Sequence, residues 1–258
     1  MDTFELLSGG KIPGLGLGTW ELRGNQCEFV VKRAIEMGYV HIDTAWMYAN
    51  QRDIGRAIRE IGASREQLFI TSKIWHTHMQ YNDVLQQCDE TLEQLQMDYV
   101  DLLLMHSPSQ TVPLGETLAA FKQIFDVGKA RSIGVSNFEL EQVNEACRVS
   151  PVPISVNQVE YNVHCDRGEL LAGCNVLGVH LTAHRPLAKG EIGSERILKE
   201  IGRTYGKSVA QIAMRWLLQK GLSAVPKSCS EVHLKENLDL FEWEMTVAEM
   251  TQISSLCK

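Results

Sequence analysis

The sequence predicts an α/β fold, a closed (β/α)8 TIM barrel with an N-terminal β-hairpin capping its bottom. Three observations predict it. Short apolar runs rich in β-branched residues alternate with segments of helical period along the chain. Eight such units fit within 258 residues, and one barrel takes roughly 250. Nearly every apolar run also ends on a polar or ionisable residue: Asp43, Lys73, His106, Asn137, Glu160, His184 and Lys227. In a barrel such ends converge on one mouth, where active sites are built, whereas an open sheet spreads them along an edge. No linker, low-complexity segment or charge block divides the chain, so residues 1–258 are expected to form one barrel domain.

The stretch from Phe4 to Ile12, around Ser8-Gly9-Gly10, is expected to form the hairpin. A first barrel strand is expected near Leu15–Gly18. Others follow at Tyr39–Asp43, Leu68–Lys73, Val100–His106, Arg131–Asn137, Ile154–Glu160, Val179–His184 and Leu222–Lys227. Their length and continuous apolar character suit strands buried on both faces. Between them, Phe29, Val30, Ala34 and Met37 share one helical face, as do Val84, Leu85, Cys88, Leu92 and Leu95. Val209, Ile212, Ala213, Trp216 and Leu217 repeat the pattern, with Ser208 placed as the N-cap. Gly14, Gly16 and Gly18, followed by Asp43, invite a dinucleotide fingerprint. Its third glycine position holds Thr19 or Glu21, so neither register works. Small residues lining a tight first strand explain the glycines instead.

Composition narrows the function. Hydrophobic content of 44% and charged content of 22% are ordinary for a globular domain. A net charge of −7 repels phosphate backbones, and no Lys/Arg run offers a local patch, so no nucleic-acid partner is expected. The seven cysteines are odd in number and scattered, with no C-x-x-C pair. That pattern argues against a disulfide framework or zinc knuckle and fits a reducing cytoplasm best. The opening residues lack the basic-then-apolar pattern of a secretory signal, and no apolar run approaches the roughly 18 residues of a membrane helix. The expectation is a cytoplasmic monomer with no membrane partner.

The stretches GLGLGTW, HIDTAWMY, TSKIW, DLLLMHSP, GVSNF, VNQVEYN and VPKSCSEVHLKENL carry the chemistry. In order and spacing they resemble the signatures of the aldo-keto reductase family, essentially from end to end. The nearest likeness is to the compact bacterial reductases of 2,5-diketo-gluconate and methylglyoxal. The resemblance implies an NADPH-dependent oxidoreductase, with NADH as a second cofactor. It would reduce small aldehydes, dicarbonyls such as methylglyoxal and keto-sugars such as 2,5-diketo-gluconate to alcohols. It also implies a catalytic tetrad of Asp43, Tyr48, Lys73 and His106.

Elementary chemistry supports those roles. Hydride delivered to a carbonyl carbon leaves an alkoxide that needs a proton. A tyrosine can donate one, but with a pKa of about 10 it is a reluctant acid. A neighbouring ammonium stabilises the tyrosinate, so Lys73 is expected to lower the pKa of Tyr48, with Asp43 holding Lys73 in place. His106 would orient the carbonyl oxygen by hydrogen bonding. Taken singly, such an aspartate is often only a cap, and such a histidine only a structural one. Their joint spacing favours catalysis.

By the same resemblance, Ser136, Asn137 and Gln158 would hold the nicotinamide carboxamide. Lys227 and Ser228 would take the adenosine 2′-phosphate, and Glu236 and Asn237 the adenine. Barrels often bind phosphate after their last strands, with help from a helix N-terminus. Two departures stand out. His233 replaces the family's usual arginine, and histidine is mostly neutral at pH 7. A reduced preference for NADPH over NADH is therefore expected above neutral pH. At residues 184–190, HRPLAKG replaces a tyrosine-serine pair: His184 can still stack on nicotinamide, Arg185 can approach the pyrophosphate, and Leu187 joins the cofactor contacts. Glu160 is equally a structural residue of the mouth.

Trp20, Trp46 and Trp75 follow the first three strands and would wall the substrate site beside His106. His76 and His78 form an H-x-H without an evident third ligand, so no metal is expected. The stretch Ser107–Gly115 is brief and the chain ends soon after its final helix, which predicts an open mouth and broad tolerance. Two rivals remain in view: a non-catalytic nicotinamide-binding barrel subunit, and a Schiff-base lyase using Lys73 as nucleophile.

Overall fold

The computed structural model describes residues 2–257. β1 (Thr3–Glu5) and β2 (Lys11–Pro13) pair antiparallel, with Phe4 opposite Ile12. Eight parallel strands then form the wall: β3 (Leu17–Gly18), β4 (His41–Asp43), β5 (Phe69–Ile74), β6 (Val100–Met105), β7 (Ala130–Ser136), β8 (Ile154–Glu160), β9 (His180–His184) and β10 (Ser223–Ala224). Between them run α1 (Gly24–Met37), α2 (Gln51–Glu60), α3 (Tyr81–Leu95), α4 (Leu114–Asp126), α5 (Leu140–Val149), α6 (Gly168–Leu177), α7 (Arg196–Tyr205) and α8 (Val209–Gln219). α9 (Glu231–Leu238) and α10 (Val247–Ser254) complete the chain's described elements.

Closure decides barrel against open sheet. The edge strands β3 and β10 are joined by Gly16 N–H to Ala224 O (2.9 Å), Ala224 N–H to Gly14 O (2.9 Å) and Gly18 N–H to Pro226 O (2.9 Å). The wall is therefore a cylinder. Its seam explains the glycines: a Cβ on Gly16 would lie 2.6 Å from His41 Nδ1, and one on Gly18 2.5 Å from Val225 O. The expected last strand, Leu222–Lys227, is regular only over Ser223–Ala224, because Pro226 has no N–H to extend a ladder.

Side chains alternate across the wall. Leu102 and Leu104 of β6 turn inward onto Val156 and the hairpin's Leu6 and Ile12. Leu103 and Met105 turn outward into the main core under the helices. The hairpin seals the end where strands begin: Phe4 stacks on His180 at 4.7 Å, and Ser8 Oγ meets Ser132 Oγ at 2.7 Å. The opposite end stays free for chemistry.

Three details refine the sequence expectations. Ser208 does cap α8, with its Oγ accepting Gln211 N–H and the Gln211 side chain returning to Ser208 N–H. Phe29 is half-exposed, and the buried stripe of α1 is instead Cys27, Val30, Val31 and Ala34, spaced as one helical face requires. α7 is an additional helix between β9 and β10.

Candidate active site at the barrel mouth

Parallel pairing sets Asp43 of β4 opposite Thr71 of β5, so Lys73, two residues on, points to the same side as Thr71. Lys73 is only 1% exposed. Its Nζ donates to Asp43 Oδ1 at 2.6 Å, to Thr44 O at 2.9 Å and to the Tyr48 hydroxyl at 3.5 Å. The second Asp43 oxygen accepts Gln158 Nε2 at 2.6 Å. Tyr48 ends a short 3-10 turn, Trp46–Tyr48, which Ala49 terminates in the left-handed region at φ 54°. His106 follows β6 and is held by its N–H to Ile74 O at 2.9 Å. Its ring stands edge-on to Tyr48 (5.7 Å) and Trp75 (5.0 Å). All four predicted tetrad residues come together.

Electrostatics bear on the protonation of Tyr48, Lys73 and His106. Burial pushes the Tyr48 phenol above the ordinary tyrosine range; Lys73 pulls it down, Asp43 pushes it up, and burial prevails. The expected pull of Lys73 on Tyr48 is present, but desolvation outweighs it and the net shift is upward. Burial also opposes the charge on Lys73, yet Asp43, with Tyr48 beside it, holds the ammonium above the usual lysine value. Burial, then the charge of Lys73, pushes His106 down to about 3, so it is neutral near pH 7. Its Nδ1 is buried without a partner, while Nε2 makes no hydrogen bond among the described residues and is not sealed off. An orphaned lone pair costs less than an orphaned N–H. The proton therefore belongs on Nε2.

Beside the tetrad lies a polar shelf. Asn137, at φ 61°, gives one amide hydrogen to His106 O (2.8 Å) and the other to Ser136 Oγ (3.2 Å), while its Oδ1 meets His184 Nε2 at 2.9 Å. Ser136 Oγ donates to Gln158 O at 2.7 Å. That leaves a lone pair on Asn137 Oδ1 and the Oε1 of Gln158, which makes no hydrogen bond among the described residues. Open acceptors of this kind, on residues at the ends of neighbouring strands β7 and β8, fit the N–H2 of a carboxamide. Arg185, also left-handed at φ 50°, pairs with Glu160 at 2.8 Å. Leu187 packs on the main core.

The other predicted cofactor residues lie past β10. Lys227 is 39% exposed at its side chain, with Glu21 Oε2 at 3.9 Å. Ser228 Oγ is engaged with the backbone of Ser230. His233 is exposed and Glu236 half-buried, whereas Asn237 is buried against the Tyr39 hydroxyl. Of the three tryptophans, Trp20 (4.8 Å from Tyr48) and Trp75 touch the tetrad. Trp46 turns to α3, donating its indole N–H to Glu90 at 2.9 Å and tilting against His78. Hollows of about 280 Å³ beside Arg131 and 190 Å³ beside Val112 lie away from the tetrad.

Asn50 escaped the sequence analysis. Fully buried, it accepts from Thr44 Oγ1 (2.8 Å) and donates to Thr19 O (2.9 Å) and Leu22 O (3.0 Å). It thereby ties the loop bearing Trp20 to the loop bearing Tyr48. Only its place two residues past Tyr48 hinted at this.

A closed (β/α)8 barrel with a buried lysine and aspartate and a half-buried tyrosine at its mouth defines a class of carbonyl-reducing barrels, and the comparisons agree. Residues 14–258 match the Aldo/keto reductase family. Glyoxal reductase of Bacillus subtilis (strain 168) is 38% identical over 258 residues, covering 100% of this chain and 93% of that protein. The NADP-dependent D-sorbitol-6-phosphate dehydrogenase of Malus domestica is 34% identical, covering 99% and 94%. A crystal structure provisionally assigned as a 2,5-diketo-D-gluconic acid reductase B superposes with a TM-score of 0.97 at 36% identity, covering 100% of this chain and 92% of the other. The chain belongs to the aldo/keto reductase family. It is an NAD(P)H-dependent oxidoreductase that reduces carbonyls to alcohols.

Proposed function

We propose that the chain reduces small aldehydes, dicarbonyls such as methylglyoxal and keto-sugars such as 2,5-diketo-gluconate, preferring NADPH and accepting NADH. One observation carries this reading: the Lys73 ammonium shared between Asp43 and the Tyr48 hydroxyl. A nicotinamide held there would supply the hydride for the carbonyl carbon. As charge gathers on the carbonyl oxygen, Tyr48 passes it the phenolic proton, and the phenolate left behind lies beside Lys73. Burial keeps that proton on Tyr48 until it is needed. An alkoxide is a stronger base than a phenolate, so the transfer still runs downhill. His106 donates from Nε2 to the same oxygen and orients it.

Asn137 and Gln158 would hold the carboxamide through their two open acceptors, with Ser136 and His184 fixing the Asn137 amide. Lys227, with Ser228 at the approach to α9, would take the 2′-phosphate. Similarity to an NADP-dependent relative supports that assignment, and similarity to glyoxal reductase supports a small dicarbonyl substrate. All seven cysteines are free, which supports a reducing cytoplasm. A Schiff-base role for Lys73 is disfavoured, because a nucleophilic amine must be neutral and Asp43 keeps this one charged.

NADPH oxidation with methylglyoxal and with an aromatic aldehyde, in wild type and Tyr48→Phe, tests the proposal. The variant is expected to lose roughly 10²–10⁴-fold in kcat/KM while remaining folded. Equal rates would overturn Tyr48 as the donor.

A further inference from the structure

We propose that Glu21 determines cofactor choice: its carboxylate rests on the cation that would receive a 2′-phosphate, so NADPH must displace it and NADH need not. The inference rests on Lys227 being the phosphate subsite, as proposed above. The barrel seam creates the contact. Gly18 N–H to Pro226 O (2.9 Å) sets the exits of β3 and β10 side by side, and Glu21 follows Gly18 by three residues as Lys227 follows Pro226 by one. The Glu21 Oε2 to Lys227 Nζ distance is 3.9 Å.

The position of Glu21 is imposed rather than incidental. Leu22 N–H closes a turn on Thr19 O (3.0 Å), and Asn50 grips both of those residues by their carbonyls from below. Glu21 itself sits in the left-handed region at φ 65°. The turn is pinned on both sides of its tip, and the Glu21 carboxylate can swing only locally. Arg33, which pairs with the first residue of α9, is engaged by Glu231 and Glu36. His233 lacks a permanent charge. With side chains 67% and 39% exposed, Glu21 and Lys227 form a weak, breakable pair. A phosphate arriving there meets a half-neutralised lysine and a like charge.

Calorimetric titration of the whole protein with adenosine 2′,5′-bisphosphate and adenosine 5′-monophosphate tests this without turnover. Glu21→Gln is expected to tighten the bisphosphate about two- to fivefold at low salt. The gain should shrink at high salt, and the monophosphate should bind as before. Lys227→Gln is expected to weaken the bisphosphate selectively. If Lys227→Gln does so but Glu21→Gln leaves the ratio of the two affinities unchanged, the role of Glu21 is overturned and the subsite stands. If Lys227→Gln leaves the ratio unchanged, the subsite falls and Glu21 with it.

Discussion

Gln158 and Asp43 face each other across the barrel mouth, Nε2 to Oδ2 at 2.6 Å, although their strands β8 and β4 stand four apart in the sheet. The carboxylate that holds Lys73 is thus itself held, and both its oxygens are committed. Geometry around the ammonium is set before any carbonyl arrives, so little reorganisation remains for the reaction.

Asp43→Asn keeps the shape of that link and removes its charge. Lys73 would then be a buried ammonium without a counterion, at an expected cost of about 3–5 kcal/mol. Urea melts at pH 7 measure it. Adding Lys73→Met removes the stranded charge, so the double variant should recover most of the stability and none of the activity. A loss below about 1 kcal/mol in the single variant would mean that Thr44 O and Tyr48 suffice to hold the lysine.

Desolvated histidines make stability fall in acid. Desolvation lowers His41 to about 4, His180 to about 4 and His184 to about 4, and His106 to about 3. Unfolded, each titrates at about 6.5. Between these values the unfolded chain binds protons that the folded chain refuses, so stability present above pH 6.5 is lost as pH falls toward 4. His41 alone, fully buried, contributes a slope of about 1.4 kcal/mol per pH unit in the lower part of that window. Melts at successive pH values should show this slope, shallower in His41→Gln. A flat profile from pH 7 to pH 5 would refute it.

Much of this was legible in the chain itself. Buried parallel strands advertise themselves as apolar runs, and polar residues closing several such runs converge on one mouth; Asp43, Lys73, His106 and Asn137 were readable as a set for that reason. What was illegible depends on contacts distant in sequence. Asn50 looks like any turn residue until the carbonyls of Thr19 and Leu22 are seen above it. The net shift of Tyr48 needed its burial, which no linear spacing reports. Phe29 counted as apolar in a helical pattern, yet α1 turns it outward because Cys27, Val30 and Ala34 define the packed stripe.

Gly18 is the seam's tightest point. An alanine Cβ there would sit 2.5 Å from Val225 O, a backbone atom with no rotamer to escape into. Gly18→Ala is expected to cost about 1–3 kcal/mol and to speed hydrogen exchange of the Gly18 and Ala224 amides, which close the cylinder. Wild-type protection at both amides would show that the seam tolerates the methyl group.

His106 offers the sharpest test of how the carbonyl oxygen is held. A pKa lowered to about 3 means the ring donates as a neutral imidazole, so its titration cannot shape activity between pH 5 and 9. What matters is an N–H at the right place. His106→Gln keeps an N–H donor, whereas His106→Phe keeps only the flat ring that packs edge-on against Tyr48 and Trp75. The phenylalanine variant is expected to lose roughly 10²–10³-fold in kcat, with glutamine recovering part of it. Were the histidine an ionised acid instead, glutamine would be as poor as phenylalanine, and the wild-type kcat profile would carry a limb that both variants lack.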